Sequence, residues 1–270
     1  MTRPNGEQGS DKAQGQGGAP ARRFYQTATI AHVEPSAAPG EAPAEGYRVL
    51  LDGKALRTPA KGHLVVPTHA LAAAIAAEWQ AQGEQIDPAS MPLTRLTNSA
   101  IDGVAGRQGD VRADIVKYLG SDLVCYRAAD PGELVRRQAE AWDPLIDWCQ
   151  AALASTLTVT SGILPVAQPA AAGVALEHWL QRLDAFALTA VHAMTTLLGS
   201  AVLTLAHANG RLTCAEAWAA AHIDEDFQAE KWGVDSLAKA RRDRHWGQIQ
   251  AASRFFFLSG GLEGTLTISR

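Results

Sequence analysis

The stretch Ala221–Gly233, AHIDEDFQAEKWG, crowds His222, Asp224, Glu225, Asp226 and Glu230 into nine residues, with Trp232 close behind. Imidazole and carboxylates together can hold a divalent cation or relay protons, so chemistry is sought here first. On a helix, His222 and Asp226 stand four residues apart and could share a metal ion. A zinc site takes three or four protein ligands, however, and the others would have to come from elsewhere in the fold. The same residues also read as the solvated face of a helix. A metal-dependent or acid–base enzyme centred on His222, Glu225 and Asp226 is one reading to carry forward.

Helix geometry defines another. At 100° per residue, Trp218, Glu225 and Trp232 fall seven apart and within about 40° of one another. His222 and Ala229 flank that stripe, Asp224 and Asp226 project to either side of Glu225, and Ile223 and Phe227 point the opposite way. If both faces are buried, Glu225 needs a partner or a raised pKa, at a cost of several kcal/mol unless compensated. If the stripe is exposed, aromatic anchors around one charge have the make-up of a docking surface. The run Lys239–Arg244 (KARRDR) offers salt-bridge partners within the chain.

The remaining catalytic signatures are missing. Gly53-Lys54 is followed by Ala55 with no glycine-rich run before it, so there is no phosphate loop, and neither a Gly-x-Ser-x-Gly nor a His-Glu-x-x-His motif occurs. No cofactor-binding motif stands out. The other histidines, at 32, 63, 69, 178, 192, 207 and 245, are scattered. Cys125, Cys149 and Cys214 are odd in number and widely spaced, which fits neither a disulfide framework nor a zinc pattern and points to reducing conditions. A formal net charge of −4 gives no reason to expect nucleic acid as a partner, and KARRDR is too short and too interrupted to change that.

Elements must now be found to hold these residues. Residues 1–21 are rich in Gly, Gln and small polar residues and read as a disordered tail, neither signal nor transit peptide, so a cytoplasmic setting is expected. Phe24–Val33, Tyr47–Leu51, Lys54–Arg57 and His63–Val66 have strand character, and Asp52-Gly53 is a hairpin turn signal. Thr68 can cap a helix running to about Gln82 with Leu71, Ile75 and Trp79 on one face. Helical patterns follow through Leu96, Ala100 and Val104, and through Val111, Ile115 and Leu119. The segment 121–127 is ambiguous, with a short extended piece favoured.

Beyond residue 130 the chain reads as helix. Pro144 should kink or split the first of these helices. Further helices are expected at about 168–183, 184–208, 213–232 and 235–258, the third opened by a Thr213/Glu216 capping box. Ala185–Gly210 contains no Asp, Glu, Lys or Arg and is long enough to span a bilayer. Its several Thr, Ser and His residues and its unremarkable flanks favour a helix buried by its neighbours. The composite is an α+β chain: a small antiparallel β-containing N-terminal domain with packed helices at 22–128, an all-α helical bundle at 129–260, and a tail at 261–270.

Many blocks, in one order, resemble a known family. They include RFYQTATI (23–30), LLDGKALRTPAKGHLVVPT (50–68), IAAEWQAQGEQIDPASMPLTRLTNSAID (75–102), YLGSDLVCYRA (118–128), QAEAWDPLIDW (138–148) and LGSAVLTLAHANGRLTCAEAWAAAHIDEDFQAEKWG (198–233). The likeness is to the assembly chaperones for the alpha subunit of F-type ATP synthase. It implies the same two-part fold, no catalytic step and no cofactor. It also implies that the chain binds the free alpha subunit, covering the surface destined for the beta subunit. A monomer when free is expected, in a bacterial cytoplasm or, for a eukaryotic source, the mitochondrial matrix. In that family an acidic residue in the region matching Asp224–Glu230 is implicated in function, and the match places it at Glu225. The partner-binding set expected here is thus Glu225 with Asp224, Asp226, Trp218, Trp232 and His222.

Overall fold

The computed structural model describes residues 21–34, 45–162 and 164–261. The expected tails at 1–21 and 261–270 therefore lie, but for Ala21 and Gly261, outside the described residues, as does most of the Pro/Ala/Gly loop before Tyr47.

Strand β1 (Ala28–Val33) pairs antiparallel with β2 (Gly46–Leu51), from Ala28 opposite Leu51 to Val33 opposite Gly46. On the other side of β2 lie two short strands, β3 (Lys54–Ala55) and β4 (Val65–Val66). The β2–β3 turn is Asp52-Gly53, as the sequence suggested, both residues at positive φ (46° and 78°). The Asp52 carboxylate also accepts hydrogen bonds from the backbone amides of Gln26 and Thr27, tying the turn to the chain entering β1. Those bonds, that of Thr27 foremost, hold its carboxyl below the usual range.

So small a sheet needs a cover, and helix α1 (His69–Gln80) supplies it, packing on β1 and β2. Thr68 caps α1 through its hydroxyl, which accepts from the Leu71 amide at 3.1 Å and donates to the carbonyl of Leu258 far along the chain. Leu71 and Ile75 are fully buried, while Trp79 lies half-buried at the edge of the core with its ring 5.6 Å from that of Tyr25. Helix α2 (Pro92–Asn98) runs on into a π-helical segment, Ser99–Val104, and α3 (Gln108–Gly120) follows.

The extended piece expected in 121–127 is β5 (Tyr126–Arg127), and it pairs in parallel with β6 (Thr160–Ser161). Between them, α4 (Gly132–Leu153) is one helix, neither ended nor split at Pro144. Trp142, Leu145, Ile146 and Cys149 are buried on both sides of the proline, and Arg127 pairs with Asp143 at 2.9 Å. That packing outweighs the ~3 kcal/mol an interior proline typically costs.

The chain then continues through α5 (Ala170–Leu180), α6 (Ala185–Leu198), α7 (Ala201–Ala208), α8 (Cys214–Ala221), α9 (Ile223–Trp232) and α10 (Ser236–Leu258). The single helix expected over 184–208 is two, broken where Gly199 takes φ 64° and Ser200 caps α7. Among the described residues no helix is long and apolar enough to cross a membrane. Helix α6 is central, packed on α3, α7 and α10. One buried cluster runs from Val49 in the sheet through Trp142 to Phe255 and Phe256 in α10.

Asp122 locks the break in place. Its fully buried carboxylate accepts from the Ser200 hydroxyl at 2.5 Å and from the Val202 and Val124 amides at 3.0 and 3.3 Å. It therefore caps α7 and the turn before β5 together. Burial pushes the carboxyl up to about 6, against the donors that favour its charged form.

Candidate functional site

The expected helix 213–232 is also two helices, and the break falls inside the candidate site. Thr213 and Glu216 form the capping box of α8 as the sequence indicated. Helix α8 then stops at His222, whose φ −122° and ψ 22° are not helical, and α9 starts afresh at Ile223. The break is held by His222 itself. Its Nδ1 lies 2.8 Å from the Trp218 carbonyl, and its ring lies against the Trp218 indole, tilted by 36° with centroids 3.8 Å apart. A carbonyl can only accept, so Nδ1 carries the proton. Burial is the leading influence on this imidazole and lowers its pKa.

The break dissolves the three-residue stripe. Trp218 is only 8% exposed and packs under His222 and against Trp246, 5.6 Å between centroids. Glu225 and Trp232 remain together because both lie within α9, seven residues apart, on a shared face about 10 Å along the axis. Both are exposed, Trp232 at 78%. Phe227 is buried on the other side of α9.

The three consecutive acids of α9 have different environments. Asp224 accepts from Gln138 Nε2 at 2.6 Å, and Gln138 is itself fully buried in α4, its Oε1 accepting from the Ala128 amide at 2.8 Å. Asp226 is paired with Arg242 of α10, which raises the already high guanidinium pKa. Glu225, between them, makes no hydrogen bond or ion pair among the described residues. All three lie in the first turn of α9, where the helix dipole favours negative charge.

The far end of α9 is neutralised. Arg137 of α4 grips both oxygens of Glu230, at 2.8 and 2.9 Å, and also reaches Glu133 at 2.8 Å. Lys231 pairs with Glu133 at 3.0 Å. The cations hold both carboxyls below their usual range, Glu230 through Arg137 and Glu133 through Lys231 first. Arg137 and Lys231 also stand over the Phe227 ring, 5.4 and 5.2 Å from its centroid.

Glu225 and Asp226 are near enough to act on the His222 imidazole through their charge, but no hydrogen bond or ion pair joins the three among the described residues: the histidine bonds back onto α8, Asp226 pairs with α10, and Glu225 faces solvent. Among the described residues no group of three His, Cys, Asp or Glu side chains could hold a metal ion. Burial raises the Cys125 thiol to about 12 and raises Cys149 likewise, which leaves both as inert thiols.

Two features escaped the sequence reading. Gln138 is a polar residue at a buried helical position, and the pattern of α4 gives no sign that its side chain bridges α9 and the backbone just after β5. Val234 and Leu237, 67% and 79% exposed, extend the apolar surface of Trp232 into the start of α10. The only hint of that was large apolar residues set among charges.

Fold and surface together define a helical α+β protein that offers an acidic face with exposed apolar side chains beside it. Comparison with known proteins makes the class definite. Residues 22–150 match the model of the ATP12 chaperone protein family. Atp12 of Paracoccus denitrificans, solved in wild-type and point-mutant forms, is 45% identical, with 88% of this chain and 98% of that one covered at a TM-score of 0.82. The Atu1473 protein of Agrobacterium tumefaciens is 43% identical, covering 90% of this chain and 86% of its own at a TM-score of 0.81. Mitochondrial atp12 of Schizosaccharomyces pombe is 24% identical over 197 residues, 68% of each chain. The chain belongs to the ATP12 chaperone family.

Proposed function

We propose that this protein is an assembly chaperone of F-type ATP synthase that binds the free alpha subunit and shields the interface later taken by the beta subunit. The observation that carries the reading is Glu225. Its two neighbours are bound by their own chain, while this exposed carboxylate makes no hydrogen bond or ion pair among the described residues and feels the longer-range charge of Arg242. An unpaired charge on a helix braced from α4 and α10 is preorganised to meet a cation on another protein. Its role would be to stand in for a charge that the alpha subunit meets across its assembled interface. An unassembled ring subunit exposes apolar surface prone to aggregation, and a protein that binds only this form protects it by mass action.

The test is capture of the cognate alpha subunit, expressed without beta, on the tagged full-length chain. The expected complex is competed away by beta. Glu225→Lys weakens it tenfold or more, about 1.4 kcal/mol of binding free energy. Failure of the wild-type chain to retain the alpha subunit across a range of salt concentrations overturns the reading.

A further inference from the structure

The elbow joining α9 to α10 is the most solvated part of the helical region. Every residue from Glu230 to Arg241 is exposed, the chain turning at Gly233. Yet it is apolar at its tip. Of the eight large hydrophobic residues exposed among the described residues, three, Trp232, Val234 and Leu237, fall within six positions of one another. Five residues of chain cannot separate Trp232 from Leu237 by more than about 18 Å. Isolated exposed apolar residues are ordinary, but a concentration of them on a projection marks a contact surface.

The projection is also braced. The Asp226–Arg242 ion pair is a strut across the elbow, and the Glu230–Arg137–Glu133–Lys231 network fastens the end of α9 to α4. A braced tip loses little conformational freedom on binding.

Its borders carry charge. Glu225 lies on the Trp232 face of α9, and Arg241 and Arg244 follow Leu237 at four and seven residues on one face of α10. None of the three makes an ion pair among the described residues, whereas Lys239 is satisfied by Asp243 at 2.7 Å. The surface therefore reads acid, apolar tip, base. It fits a hollow bordered by a cation on one side and carboxylates on the other.

We infer that this tip is an apolar plug that seats in such a hollow on the alpha subunit, with Trp232 and Leu237 as anchors beside the contact made by Glu225. The inference rests on the function proposed above and names a second, hydrophobic half of the same interface. Aromatic anchors near the centre of an interface commonly carry most of its energy.

The experiment measures the affinity of purified alpha subunit for the full-length wild type, Trp232→Ala, Leu237→Asp and Glu225→Lys, with thermal melting of each. Hydroxyl-radical footprinting of Trp232 is done in the wild-type complex. The expected result is at least tenfold weaker binding by Trp232→Ala and Leu237→Asp at unchanged melting temperature, with Trp232 protected in the complex. Binding equal to wild type in both tip variants, with Trp232 unprotected while Glu225→Lys still loses affinity, overturns the plug and leaves the chaperone reading standing. No binding by the wild type overturns both. The acid–apolar–base order is also complementary to itself in antiparallel, so a wild-type dimer in sedimentation that Trp232→Ala dissolves would make the occupant a second copy and refute the inference.

Discussion

Asp122 is sealed from water and Glu225 stands in it, and a single substitution at each separates fold from function. The ordinary carboxyl of the unfolded chain titrates near 3.8, while burial takes the native Asp122 to about 6. Between those values the native state binds more protons, so this group's contribution to stability is greatest at low pH and is lost as pH rises through the window. The stability advantage of wild type over Asp122→Asn should therefore shrink by about 2 kcal/mol between pH 4.5 and 7, read from urea unfolding at the two values. An advantage that stays constant or widens would show that the buried carboxyl is charged throughout. Glu225→Lys should cost about 1 kcal/mol of stability at most, the scale of placing an exposed cation against the helix dipole and near Arg242. A drop in melting temperature beyond that scale would show that Glu225 supports the fold.

Elements are stapled to one another by side chains that bond backbone. Gln138 is the plainest case, linking α4 to Asp224 of α9 and to the backbone before α4. Gln138→Ala should cost about 2 kcal/mol and speed amide exchange in α9, because it leaves the half-buried Ala128 amide without its acceptor and frees the helix start. Unchanged exchange in α9 would place the anchor of that helix elsewhere. Gly46→Ala tests the sheet: a Cβ there would lie 2.7 Å from the Val66 carbonyl oxygen and 2.9 Å from Val65, so β2 and β4 must separate. Destabilisation of about 1–3 kcal/mol in chemical denaturation is expected, the usual cost of overpacking. The hairpin at Asp52-Gly53, the Thr68 cap and the Thr213/Glu216 capping box were legible in the sequence because each is a local signal of a few residues. The breaks at Gly199 and His222 were not, since helical periodicity runs on through both. At Gly199 what stops the helix is tertiary, Asp122 reaching Ser200 and Val202; at His222 it is a local fold-back onto Trp218, four residues earlier, whose indole is packed against Trp246 of α10. The candidate site changed accordingly. Trp218 moved from its face into the packing beneath it, and Val234 and Leu237 joined Trp232 as exposed neighbours.

At the scale of the whole molecule, one core links the sheet, α1, α6 and α10, and the Thr68 hydroxyl bonds both α1 and the end of α10. The α9–α10 elbow is the part that stands clear of this core, braced by ion pairs and carrying one unpaired carboxylate and three exposed apolar residues. The proposed chaperone role needs a rigid body and a presented surface, and this division provides both. Ion pairs at the edge of an interface are screened by salt whereas apolar contacts are not, so capture of the alpha subunit should weaken with ionic strength without vanishing. The most direct measurement of the central claim is equilibrium binding of purified alpha subunit, free of beta, to the full-length protein and to Glu225→Lys. The proposal predicts a saturable complex with wild type that added beta subunit dissolves, and binding at least tenfold weaker with the variant. Saturable binding that Glu225→Lys leaves unchanged, or no binding by the wild type, would contradict it.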